Sequence, residues 1–292
     1  MIALTALTSR PAQAQPQRRL RVVASFSILA DMVRNVGGDA IELSTLVGAD
    51  ADAHVFEPTP ADARRLADAD LVVVNSLGFE GWLDRLVRAS GYKGAVVVAS
   101  AGITARRLGR EADPHAWQDL AHARRYLLNL REVLAQARPG EAAGFEQRAA
   151  AYSARMAALS AELRTAFDTI PRAQRRVTTA HDAFGYLGAA YGIDFLAPQG
   201  MSTDGQPAAA AVARLIDQIR KQGVRAVFVE NISDPRLVER IAREGGATVG
   251  GRLYSVALSP PGTAADTYLK LFTHNAATLA AGLRGQQQAR IR

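Results

Sequence analysis

At 292 residues the chain is long enough to bury a sizeable core, as one large domain or two of moderate size. It contains no cysteine, which excludes disulfides, thiolate metal sites and cysteine nucleophiles and leaves nitrogen and oxygen as metal donors. The formal net charge of +7 comes from arginines spread over many helices, with 6% aromatics and no basic run interleaved with them. Solvated helix faces account for such a charge, so nucleic acid is not an expected partner.

Residues 1–18 read either as the tail of an export signal or as a disordered tail. Ala12-Gln13-Ala14 matches a small-x-small cleavage pattern, but the apolar part is short and no basic residue precedes it. No apolar run reaches the roughly 18–20 residues that span a bilayer. A first strand is expected at 21–25, a helix at 28–36 ended by Gly37-Gly38, and a second strand at 41–47. The stretch Ala51-Asp52-Ala53-His54-Val55-Phe56-Glu57-Pro58-Thr59-Pro60 follows. It places an imidazole in a loop that enters a helix at 61–69, and Pro60 suits the first helical turn, where its missing N–H is not needed. Leu71-Val72-Val73-Val74 is a continuous apolar strand, the mark of a buried parallel sheet. A helix at 79–90 and a strand at 95–99 complete an alternation that argues for a doubly wound layer.

Residues 100–112 are loop-like and basic. Asp113-Pro114-His115-Ala116-Trp117 comes next, then a helix over 118–137 broken by Pro139-Gly140. Segment 141–169 is rich in Ala, Glu, Arg and Leu and has high helix propensity up to Pro171. At ~1.5 Å per residue it can cross the whole molecule. The second half repeats the alternation: a strand at 176–179 leading to His181, a helix at 183–191 and a strand at 193–196. A helix at 208–222, a buried strand at 226–229 ending at Glu230, a helix at 235–244, a strand and loop at 248–255 and a closing helix at 267–283 follow. The expected fold is α/β: two lobes with mainly parallel sheets, 19–138 and 172–292, joined by one long rigid helix in 139–171. No sequence-level repeat marks a duplication.

His54, His115 and His181 each lie where a strand or its loop hands over to a helix, the edge at which open α/β sheets bind ligands. Two fall in the first lobe and one in the second, so a shared site belongs in the cleft between them. The long gaps carry no local motif, and any one histidine taken alone reads as polar or structural. His122 and His274 keep that plain reading.

Five segments in order raise the specificity: His54-Val55-Phe56-Glu57-Pro58-Thr59-Pro60, Asp113-Pro114-His115-Ala116-Trp117, His181-Asp182-Ala183-Phe184, Phe228-Val229-Glu230-Asn231 and Leu258-Ser259-Pro260-Pro261-Gly262. From residue 22 to 283 the chain resembles the metal-binding receptors of ABC importers, the cluster that carries zinc, manganese or iron(II) across the periplasm. The resemblance implies two lobes bridged by a rigid helix and a buried metal held by His54, His115 and His181. It also implies a periplasmic, monomeric, non-enzymatic protein that meets an inner-membrane ABC permease. One departure stands out: the family's usual fourth ligand, a carboxylate, falls on Val256, which offers no donor. Glu230 is then either a fourth ligand or a hydrogen-bond partner behind a histidine. Asp119 and Asp182 read as orienting carboxylates or as helix N-terminal charges, and Trp117 as a shield or as core.

Three neutral imidazoles suit Zn2+, whereas Mn2+, the second choice, prefers more oxygen. The absence of histidine from 102–112 departs from the histidine-rich loop of many zinc receptors of this kind. The rival from another class is a zinc-dependent hydrolase with water at the open fourth position. A metal-independent interaction protein is a third reading.

Overall fold

Apolar runs dictate two parallel sheets. A computed structural model of the chain describes residues 18–285; the export-signal reading falls on residues outside these. In the first half, β1 (Leu20–Phe26), β2 (Ile41–Val47), β3 (Leu71–Val74) and β4 (Ala95–Val98) form one sheet in the order β2-β1-β3-β4, parallel throughout. The connecting helices are α1 (Ser27–Gly37), α2 (Pro60–Ala67) and α3 (Leu83–Ser90). All four residues of β3 are buried, as its unbroken Leu-Val-Val-Val requires of a central strand covered on both faces.

The segment expected to be loop contains a two-residue-strand hairpin, β5 (Arg107–Leu108) with β6 (Glu111–Ala112). Strands this short show no periodicity in a sequence. Beyond it run α4 (Leu120–Ala137) and the 27-residue α5 (Ala142–Asp168), about 40 Å long at the usual helical rise. The second half holds β7 (Arg176–Thr178), β8 (Asp194–Leu196), β9 (Ala226–Glu230) and β10 (Thr248–Leu253), with α6 (Gly185–Tyr191), α7 (Ala209–Gln222), α8 (Pro235–Gly245) and α9 (Tyr268–Leu283). Its order is β10-β9-β7-β8. In each sheet the lobe's first strand lies between its second and third, so the two lobes share a strand order that their sequences do not advertise.

α5 packs along α4 and α1 of the first lobe and against α9 of the second. One hydrophobic core runs through both lobes, taking in Phe26 and Trp117 from the first and Phe228, Tyr268 and Phe272 from the second. A smaller core sits under α7 and α8. The helices are also tied by a buried polar knot. Asp31 of α1 accepts from the Tyr152 hydroxyl of α5 (2.8 Å) and from the backbone N–H of Tyr268 at the start of α9 (3.2 Å).

The sequence places the start of α3 at residue 79, but the helix begins at Leu83. The preceding turn explains the difference: Ser76, Leu77 and Gly78 all have positive φ, at 70°, 58° and 85°. Two non-glycine residues in succession in that region are held at a cost. The buried Glu80 carboxylate does the holding, accepting from the backbone N–H groups of Asn75 (2.7 Å) and Ser76 (2.9 Å) and from Ser25 Oγ (2.7 Å).

Candidate metal centre

His54 is aimed by its backbone. Thr59 caps α2 in a reciprocal box with Asp62, with Pro60 at the first helical position, which fixes where the loop ends. His54 N–H donates to Asp52 Oδ1 (2.9 Å), and the Trp82 indole N–H donates to Ala53 O (2.8 Å). The ring stands edge-on to Phe79, centroids 4.7 Å apart, on the strained turn before α3. The same loop reaches the second lobe: Thr203 Oγ1 donates to Asp52 Oδ2 (2.5 Å) and Asn231 Nδ2 to Asp50 Oδ1 (2.9 Å).

His115 is fully buried just after β6. Asp113 Oδ1 accepts from its backbone N–H (3.0 Å) and lies 2.9 Å from Nδ1. With Nδ1 donating to the carboxylate, Nε2 carries the free lone pair. Asn75 Nδ2 donates to Pro114 O (2.9 Å), tying the segment to the end of β3. His181 is also fully buried, at the end of the connection from β7. Glu230, the last residue of the neighbouring β9, accepts at Oε1 from the backbone N–H groups of Ala180 and His181, both 3.0 Å. Its Oε2 lies 2.8 Å from His181 Nδ1, an ion-pair contact that is close but not aligned as a ring N–H hydrogen bond.

The three imidazoles converge. His54 Nε2 and His115 Nε2 are 3.2 Å apart, and one ring nitrogen from each histidine lies within 4.8 Å of the others. Tetrahedral zinc with nitrogens at ~2.05 Å separates its ligands by about 3.3 Å. His181 Nε2 is buried with no hydrogen-bond partner among the described residues. An orphaned polar atom of this kind costs roughly 1–3 kcal/mol, and a cation shared with the other two nitrogens would satisfy it.

Electrostatics favour the metal-ready form at two of the three positions. Burial, helped by the neighbouring His115 and His181, pushes His54 down to about 2. Burial likewise holds His115 well below the ordinary histidine value, with His181 adding to the effect. For His181 burial is again the largest influence and acts downward, but the charge and contact of Glu230 outweigh it and the net shift is upward. Burial alone would raise Glu230; its closeness to His181 holds it below the usual range instead. Burial raises the Asp113 carboxyl, against its hydrogen bonds from His115 and Arg106.

The model of the family described as zinc-uptake complex component A, periplasmic, matches residues 22–282. This chain belongs to that family. Among its relatives, the manganese-binding lipoprotein MntA of Halalkalibacterium halodurans is 31% identical over 266 residues, covering 90% of this chain and 88% of that protein. The iron-binding protein YfeA of Yersinia pestis is 30% identical over 295 residues, 97% and 94% of the two chains. The solved structure of the periplasmic zinc binding protein TroA from Treponema pallidum matches at a TM-score of 0.88 with 30% identity, over 91% of this chain and 99% of that one. Members of the family are metal-binding receptors of ABC transporters, not enzymes, and the hydrolase alternative falls. The geometry gives a physical reason. The two carboxylates in contact with the site's ring nitrogens, Asp113 and Glu230, are turned to Nδ1 atoms and backbone N–H groups, leaving neither as a base for a bound water.

Around the three histidines of this receptor, each carboxylate that the sequence left with two readings takes up a definite place. Glu230 stands behind His181, its Oε1 accepting from two backbone N–H groups and its Oε2 2.8 Å from the ring Nδ1. Asp119 orients no site histidine; it caps α4, accepting from Ala121 N–H (2.8 Å), and its other oxygen is 3.8 Å from His122 Nδ1. Asp182 acts on His181 through its charge, which helps to raise that imidazole, with no hydrogen bond between the two side chains among the described residues. Its backbone N–H donates to Gly200 O (3.1 Å), and the carboxylate at His181 Nδ1 is Glu230. Val256 is fully buried in the main core. Trp117 is core and neighbour at once: buried against Phe26 and Phe79, it stands 5.3 Å from the His115 ring, and its N–H donates to Ser255 O. His274 lies 3.0 Å from Arg252 O through Nε2, away from the site. The sequence reading missed Asp113 as a support, although a carboxylate two residues before a histidine is a legible signal. It also missed Arg106, which nothing distinguishes among so many arginines.

Proposed function

We propose that this receptor captures one divalent transition-metal ion through the Nε2 atoms of His54, His115 and His181 and delivers it to an ABC permease from the outer face of the inner membrane. The convergence of three imidazoles around a buried, unpartnered His181 Nε2 carries this reading. A dication there has two carboxylates one step away, Asp113 and Glu230, to offset its charge. No helix among the described residues is long and apolar enough to cross a membrane, and the reading needs none. The division into 19–138, 139–171 and 172–292 fits a monomer whose site takes two ligands from the first lobe and one from the second. Because one core runs through both lobes, small shifts of loops, rather than wide hinge opening, suit loading and release.

We infer zinc as the cargo, ahead of manganese. The relatives' names span manganese, iron and zinc and do not decide between them. The donor set favours zinc: three nitrogens, no carboxylate oxygen among them, and a buried valine at 256. Competition titration of the metal-free protein tests this. One equivalent of Zn2+ should bind more tightly than Mn2+, and His181→Ala should abolish the high-affinity event. Tighter Mn2+ binding, or undiminished Zn2+ binding by the variant, overturns the assignment.

A further inference from the structure

Arg106 belongs to the first lobe, yet its side chain lies on the second. The guanidinium carbon is 5.4 Å from the centre of the Tyr186 ring. Nη1 sits 1.3 Å from where a Cβ on Gly185 would stand, so the guanidinium fills the space that glycine leaves at the start of α6. Arg106 N–H donates to the Tyr186 hydroxyl (2.9 Å), which donates in turn to Asp113 O (2.9 Å). Nη1 also donates to Asp113 Oδ2 (2.9 Å), and the other Asp113 oxygen holds His115.

We propose that Arg106 is a positioning residue: seated on Gly185 and Tyr186, it holds Asp113 at the angle that aims His115 Nε2 at the metal. The second lobe then governs two of the three ligands, His181 directly and His115 through this clasp. The proposal deepens the metal-receptor reading and rests on it. Asp113 needs such help more than Glu230 does. Both carboxylates are buried, but Glu230 accepts from two backbone N–H groups, those of Ala180 and His181, and Asp113 from one, that of His115. The Arg106 side chain is 42% exposed, so its ion pair contributes little to folding. Its effect belongs in metal retention.

The test compares the zinc off-rate, read by chelator capture, with the melting temperature of the metal-free full chain. Two variants approach the clasp from opposite lobes. Arg106→Gln removes the guanidinium; Gly185→Ala pushes its flexible end off α6 and leaves the first lobe untouched. Each should raise the off-rate about 10-fold, the lower end of what losing a ligand's support costs, with the metal-free melting temperature nearly unchanged. Arg106→Lys, which keeps the charge, should restore part of the loss. A bare charge effect has the opposite sign, since removing a cation near the site would slow metal release. Arg107→Gln, at an exposed neighbour whose side chain bonds Arg110 O, should leave the off-rate alone. Unchanged off-rates in both variants, a rise in Arg106→Gln alone, or a rise that merely follows lost stability each overturn the clasp. His115→Ala separates the two layers. If it abolishes binding while the clasp variants bind normally, the receptor reading stands and the clasp falls. If it binds zinc normally, the ligand assignment beneath both fails.

Discussion

His115 and His181 are both fully buried and both backed by a carboxylate, but the two supports are built differently. Glu230 is the terminal residue of a strand beside the one that leads to His181, so a single sheet sets their relation. Asp113 is two residues from His115 on a connecting segment, and its outer oxygen is held by a half-exposed arginine resting on the other lobe. One imidazole is thus fixed by secondary structure, the other by contact between lobes. His54 has no carboxylate at its ring among the described residues and is aimed by backbone bonds and by Phe79. An arrangement assembled this way keeps one ring rigid and can loosen another without unfolding a sheet.

The sharpest way to break this contrast is to neutralise each carboxylate in turn. Glu230→Gln leaves the His181 ring nitrogen and two backbone donors with a weakened acceptor in a fully buried place. It should lower zinc affinity by roughly 100-fold and the stability of the metal-free protein by about 1–3 kcal/mol. Asp113→Asn should lower affinity by roughly 10-fold with a smaller loss of stability, read by the same titration and by denaturant melts. Equal effects on stability would mean that the two supports are equivalent.

Acid sharpens the contrast less strongly. In the unfolded chain the histidines protonate near pH ~6.5. In the folded metal-free protein burial keeps His54 and His115 neutral well below that, so the unfolded state binds more protons and stability falls as pH drops below about 6.5. His181 works the other way. Its folded value is raised, so its contribution is fully present below about 6.5 and is lost as pH rises through that raised value. Among the histidines two act against one; burial also raises the carboxyls of Asp31, Glu80, Asp113 and Asp182, which oppose the fall, so the expected fall in the metal-free melting temperature from pH 7 to pH 5 is read against that of His54→Asn. His54→Asn should flatten the fall. A melting temperature that climbs towards pH 5 contradicts this balance. The smallest expected effect is that of Val256→Asp, which offers an oxygen donor from a buried position. It should tighten binding and narrow the gap between zinc and manganese; flat affinities would remove residue 256 from the account.

Much of this was legible in the residues. Leu71-Val72-Val73-Val74 and Ala226-Val227-Phe228-Val229 read as buried parallel strands because nothing polar interrupts them, and Pro60, Pro139 and Pro171 punctuate the helices around them. The histidines were legible as a set through the segments that carry them. Asp119 and Asp182 kept two readings open because nearness in sequence is a poor guide to nearness at a ring: a carboxylate just before a helix is drawn to the helix's own free N–H groups, as at Asp119. Arg106 and Tyr186 are 80 residues apart, and no local pattern encodes their meeting. The shared strand order of the lobes is equally silent, because pairing order leaves no periodicity along the chain.

X-ray absorption on the zinc-loaded protein tests the central claim most directly. The account predicts three imidazole rings bound through nitrogen at about 2.0–2.1 Å. A spectrum with one imidazole or none, dominated by oxygen, would contradict it.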